Sequence, residues 1–134
     1  MLSRPHSVLC ALGLLALTAC VPKVASKPVQ FIYFYGGMAE RVHAAWVTPY
    51  FFEGHPETKP LLGRIFRSDE YKPDSTVVML SAAAFAQRFH SDRAATIGQS
   101  VDLAGANFIV VGVLQPDFAT PDQAEFLLPK DSLP

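Results

Sequence analysis

Two cysteines are all this chain has, and both, Cys10 and Cys20, lie within its first twenty residues. Everything after Val21 is therefore without a thiol, which excludes a disulfide-stapled fold and any zinc site built on cysteine. Positive charge is not in excess either. Lys and Arg number 11 against 12 Asp and Glu, a net charge of −1. A phosphate backbone needs a concentrated basic face, so nucleic acid is excluded as a partner. Long apolar runs are also missing. The run from Val8 to Leu17 is far short of the roughly 20 residues that a membrane-spanning helix requires. No internal repeat is visible.

That short apolar run is nevertheless the most informative segment. It follows Arg4 and ends in Leu17-Thr18-Ala19-Cys20, the anatomy of an export signal with small residues before its cleavage point. The tetrapeptide resembles the bacterial lipobox, whose cysteine is acylated and becomes the new N-terminus. Residues 1–19 are thus expected to be a lipoprotein signal peptide and Cys20 the lipidation site, on the periplasmic or cell-surface face of a bacterial membrane. The rival reading is an ordinary signal peptide cut nearby, with Cys20 incidental. Without the signal about 115 residues remain, enough for one domain with one core. Ten basic side chains then face twelve acidic ones.

Residues 20–28 hold Pro22, Lys23, Ser26, Lys27 and Pro28, with little to bury, and read as a tether. The domain is expected over residues 29–134. Val29 to Tyr35 is β-branched and aromatic and stops at Gly36-Gly37, a strand and a turn. In Arg41 to Val47, Val42, Ala44 and Trp46 alternate with Arg41, His43 and Ala45, which predicts a strand with one buried and one wet face. Thr48-Pro49 reads as a helix cap and first helical position before Tyr50, Phe51 and Phe52, and Gly54 and Pro56 end that turn. Ser68 to Ser75 is a polar surface loop. Thr76 to Leu80 is a continuous apolar run, a strand covered on both sides.

Ser81 is expected to cap the best helix of the chain, at about residues 82–90, which puts Phe85 and Phe89 four apart on one face. Ser100 to Leu103 and Asn107 to Leu114 read as a hairpin around Ala104-Gly105. Phe126 to Leu128 is expected as an edge strand. The fold class is α+β: a small mixed sheet with one main helix packed on it.

Candidate chemistry is sparse. His43, His55 and His90 are far apart and lack the paired spacing of zinc motifs, so no metal site is expected. Asp69 with Glu70, and Asp122 with Glu125, are paired carboxylates in polar segments, where ionised side chains are simply solvated; catalysis would require burial and a shifted pKa. Ser81 lacks the flanking glycines of a nucleophile elbow and reads as a cap. Gly98, Gly105 and Gly112 are spaced for turns and close packing, not for a phosphate loop. The aromatic residues Phe31, Tyr33, Phe34, Tyr35, Trp46, Tyr50, Phe51 and Phe52 are read as core, with a partner-facing patch as the alternative.

From Trp46 onward, the order of short motifs resembles one family. Val47-Thr48-Pro49-Tyr50-Phe51-Phe52 is similar to V-[ST]-P-x-[FY]-F, and Leu62-Gly63-Arg64-Ile65-Phe66 to L-G-R-x-F. Ser81 with Phe85, Arg88 and Phe89 follows S-x-x-[LW]-W-x-x-R-F, with Phe85 in place of the tryptophan. Ile97-Gly98 matches I-G-R, with Gln99 replacing the arginine. Val110 to Pro129 follows V-V-G-V-x-x-P-x-F-x-x-P-x-x-A-E-x-W-x-P, with Leu127 in place of the tryptophan. These motifs resemble the MacB-like periplasmic core domain of ABC-type permeases (the FtsX/MacB-like family), over about two thirds of the chain.

The resemblance implies an extracytoplasmic mixed α/β module that contacts substrate or partner proteins and has no catalytic residue or cofactor. Family members begin with a transmembrane helix, carry a longer core domain and end in a transmembrane bundle coupled to an ATPase. A lipobox and an end at Pro134 stand there instead, so transport activity is not carried over. The expected function is a lipid-anchored binding or assembly module, with an ABC-type permease or a second copy as partner. A truncated or decayed permease fragment without independent function is the alternative. A small secreted hydrolase is weaker still, because no nucleophile and base are paired.

Overall fold

The computed structural model describes residues 24–56 and 58–133. Cys20 and the signal-like segment lie outside the described residues. The chain runs β1 (Ser26–Tyr35), β2 (Met38–Val47), α1 (Pro49–Glu53), β3 (Leu62–Gly63), β4 (Val77–Leu80), α2 (Ala82–Arg88), α3 (Arg93–Thr96), β5 (Ser100–Leu103), β6 (Ala106–Val113) and β7 (Phe126–Pro129). Short 3-10 turns occupy Ser68–Glu70 and Pro121–Gln123. Among the described residues no helix is long and apolar enough to cross a membrane.

The strands pair in the order β3-β6-β4-β7-β2-β1-β5, and β5 returns to pair with β6. Six strands therefore close a ring, with β3 added to the outer edge of β6. The sheet is mixed, because β2 with β7 and β4 with β6 run parallel while the other pairs are antiparallel. The α+β class holds, though a seven-stranded sheet is larger than the small one expected. All six ring strands send residues into one cluster: Tyr33, Val42, Val78, Leu80, Val101, Leu103, Val110, Phe126 and Leu128. Ala84 and Phe85 of α2 close over it. A second cluster on the other face joins Ala45, Val47, Met79 and Leu127 to Phe51 and Phe52 of α1 and to Phe66.

A bulge makes β6 fit. Val78 pairs with Val110, but Met79 pairs with Gly112 and Leu80 with Val113, so Val111 is an extra residue. Val110 and Val113, three apart, both face the ring interior as a result, and Val111 turns to the second cluster. A regular strand of period two could not place them so.

Four expectations need correction. First, β1 begins at Ser26 rather than Val29, pairing Ser26 with Val47, so the end of the proposed tether belongs to the sheet. Pro28 is tolerated because it sits four residues before Ile32, whose carbonyl bonds Ala104 N–H on the side away from β2; a missing N–H on that open side breaks no ladder bond. Second, Thr48 occupies the N-cap position of α1 without a capping bond from its side chain. Its hydroxyl donates instead to Val24 O at 2.7 Å, which ties the chain before β1 to the end of β2.

Third, Phe126 to Leu128 is not an edge. β7 lies between β2 and β4, and Phe126, Leu127 and Leu128 are fully buried, as befits a strand apolar on both faces. Fourth, the alternation in β2 fails at its end. Ala45 is as buried as Ala44, because the second cluster covers the face predicted to be wet. Elsewhere the readings of β4 and of the β5–β6 hairpin hold to within one residue at their ends. The main helix is somewhat shorter than residues 82–90, with Phe89 as its C-cap.

Candidate functional site

The most organised polar cluster centres on Arg88, the last residue of α2. The helix forms because Ser81 Oγ accepts the Ala84 N–H at 3.1 Å and alanines fill its first turns. Ser81 is thus the expected cap. Ser81 N–H also bonds Glu125 O, and Glu125 N–H bonds His43 O, so the residue before β7 is pinned between the helix start and β2. Arg88 then meets two carboxylates. Its Nε donates to Glu125 Oε1 at 2.6 Å and Nη2 to Oε2 at 3.2 Å. Nη1 donates to Glu40 Oε1 at 2.9 Å and Nη2 to Oε2 at 3.1 Å.

Rings complete the cluster. The guanidinium lies 5.1 Å from the centre of the Tyr33 ring, Tyr33 stacks on Tyr35 at 4.8 Å, and Tyr35 Oη donates to Glu40 Oε1 at 3.1 Å. Hydrogen bonds from Arg88 hold the Glu40 carboxyl below its usual range, and the same pairing raises Arg88 above its own. Burial pushes the Tyr33 phenol up, with Arg88 opposing. The arrangement clamps α2, β2 and β7 together, and it spends its charges on one another.

A second clamp joins Arg64 and Glu70. Arg64 Nη1 and Nη2 donate to Glu70 Oε1 and Oε2 at 2.9 and 2.8 Å, and Arg67 N–H donates to Glu70 Oε1 at 2.8 Å. The Arg64 bond holds the Glu70 carboxyl low despite partial burial. Next to it, burial against Phe66 pushes the Tyr71 phenol up to about 12. Glu70 and Glu125 are therefore not the solvated acids expected from their polar segments. Each is the anion of an ion pair, because the fold brings an arginine to it. Asp122 lies 3.6 Å from His43 Nδ1, with both side chains more than half exposed.

The other histidines are apart. His55 packs edge-on against Phe51 and Phe118, and His90 sits at φ 52° in the turn after α2. Among the described residues no three His, Cys, Asp or Glu are grouped to hold a metal. The aromatic set divides: Tyr33, Phe51 and Phe52 are buried, Phe31 and Trp46 pack half-buried on the ring core, and Phe34, Tyr35 and Tyr50 are exposed. Glu40 is the residue that sequence reasoning missed. It stands 48 positions from Arg88, and only the pairing of Tyr33 with Glu40 across β1 and β2 brings it under the helix.

The model of the MacB-like periplasmic core domain matches residues 11–133. The fold is similar to the extracellular domain of the noncanonical ABC-type transporter YknZ from Gram-positive bacteria, with a TM-score of 0.65 and 17% identity over 86% of this chain and 58% of that one. It is similar also to the periplasmic region of MacB from Actinobacillus actinomycetemcomitans, with a TM-score of 0.63 and 16% identity over 84% of this chain and 51% of that one. The chain thus spans between half and three fifths of the length of these domains. No curated protein sequence matches it significantly. Because the match covers nearly the whole chain, from before β1 to beyond β7, the protein belongs to the MacB-like periplasmic core domain family.

Proposed function

We propose that the chain is a lipid-anchored, non-catalytic binding or assembly module on the extracytoplasmic face of a bacterial membrane, held there by acylation of Cys20 and working beside an ABC-type permease. The observation that carries this reading is the Arg88 clamp. The Arg88 cluster commits four guanidinium bonds to two carboxylates. Such a cluster stiffens a scaffold, whereas general acid–base work needs a group free to exchange its proton with a substrate. Membership of a family of permease domains supports the partner.

Retention of Gly63 and Gly112, at positions where a Cβ would meet backbone oxygens, supports a chain still constrained by this fold over a decayed fragment. The test is to crosslink the tagged full chain in its native membrane and identify what co-purifies. An ABC-type permease with a core domain of this type is expected. Recovery of the chain alone, or only with itself, overturns the permease partnership.

A further inference from the structure

A groove of about 710 Å3 runs beside α2. Ala82, Ala83 and Ala86, three and four apart, give it a helix wall. The buried ring of Phe85 is its floor, and Leu61 and Pro116 supply the rest of the apolar lining. Leu61 is fixed by its N–H, which bonds Val113 O at 2.7 Å at the end of β6. The polar lining, Ser91 and Arg93, comes from the segment that follows the helix. Left-handed backbone at His90 and Ser91, with φ 52° and 55°, turns the chain there. Ser91 N–H bonds Phe85 O at 3.1 Å, so the polar end is fastened to the floor.

The charge at that end is unspent. Arg64 and Arg88 are bound to carboxylates, whereas neither the Arg93 guanidinium nor the Ser91 hydroxyl makes a hydrogen bond or ion pair among the described residues. No acidic residue lines the groove. Asp92, next to Arg93 in the chain, turns Oδ1 to Ala94 and Ala95 N–H instead. An apolar channel that ends in a free cation and a hydroxyl is complementary to an amphiphile with an apolar tail and an anionic head.

From this we infer that the groove binds a fatty acid, its chain laid along the alanine wall over Phe85 and its carboxylate on Arg93 and Ser91. The alanine methyls make an even wall without separate pockets for side chains, and that wall is a helix, so it offers a peptide backbone no ladder to join. An acyl chain needs neither. It gains from apolar area removed from water along its whole length, and its one polar group falls where the groove has its donors. The inference rests on the reading of this protein as a binding module at a membrane and names a ligand for it.

The test uses the full chain in its native membrane, a trace of fatty acid carrying a mid-chain diazirine, and mass spectrometry of the photolabelled peptides. Label is expected on the peptides that hold Leu61 and Ala82 to Ala86, and decanoate should displace it far better than decanol. Arg93→Gln is expected to raise the decanoate concentration needed for displacement about tenfold, and Arg93→Lys, which keeps the charge, to restore most of it. Ala86→Leu fills the groove from an exposed helix position and should remove the label. No label at these peptides overturns the proposal, as does equal displacement by decanoate and decanol or an unchanged label in Ala86→Leu. Absence of label together with a permease crosslink that Ala86→Leu abolishes would make the groove a protein contact, overturning the fatty-acid site and leaving the binding-module reading standing. Specific label with no permease recovered would support the site and overturn the permease partnership alone.

Discussion

Gly63 and Gly112 face each other across β3 and β6, and neither position has room for a side chain. A Cβ on Gly63 would come within 2.2 Å of Val111 O, and one on Gly112 within 2.1 Å of Arg64 O. Both obstacles are backbone, so relief would require the strands to separate. The pair lets β3 approach the bulged part of β6.

Gly112→Ala is therefore expected to cost about 3 kcal/mol, the upper end for overpacking. Gly105→Ala makes the comparison. Gly105 has φ +86° but open space around its Cβ position, so only the left-handed backbone is penalised, by about 1 kcal/mol. Urea unfolding of both variants checks the order, and equal losses would refute the close-approach argument.

Acid should destabilise the protein through its two clamps. Glu40 and Glu70 both have folded pKa values below the ordinary 4.5, so each adds stability that is present above pH 4.5 and is lost as pH falls through the lowered folded value. Arg88→Met is expected to cost about 2 kcal/mol near neutrality through lost charged hydrogen bonds and to flatten the share of the acid response due to Glu40. Arg64→Met should do the same for Glu70. Denaturation midpoints measured near neutrality and near pH 3 test this, and an unchanged acid slope in both variants would contradict it.

Phe85 and Phe89 share one face of α2 but not one depth. Phe85 is 5% exposed inside the ring cluster, whereas Phe89 only packs against it from the C-cap. Phe85→Ala is expected to cost about 3–5 kcal/mol and Phe89→Ala clearly less. Thermal unfolding distinguishes them, and the reverse order would place the helix differently.

Cys20→Ala should release the protein from the membrane fraction. Acyl chains hold a protein to lipid at about 0.8 kcal/mol per buried methylene, and removal of their attachment point removes the anchor. Mass spectrometry of the mature N-terminus is the direct measurement. An unmodified N-terminus downstream of Cys20 would exclude lipidation.

What the residues determined by themselves was local. Period two and β-branched content mark β1 and β4, a positive-φ turn at Ala104-Gly105 marks the β5–β6 hairpin, and Ser81 with the alanines marks α2, because each depends on neighbours within a few positions. The family motifs carried the same information further, since they keep Gly63, Gly112, Arg64, Arg88 and Glu125 in order. Only the tertiary structure decided the rest. Whether Phe126 to Leu128 is an edge or a centre depends on β2 and β4, far away in sequence, and nothing in an apolar triplet says which partners it will find. Glu125 reads as a solvated acid until ring closure brings Arg88 to it from 37 positions away. Glu40 carries no local signal at all, because a lone carboxylate on a strand becomes half of a clamp only when the fold sets a guanidinium beside it and the solvation it gives up is replaced by charged hydrogen bonds.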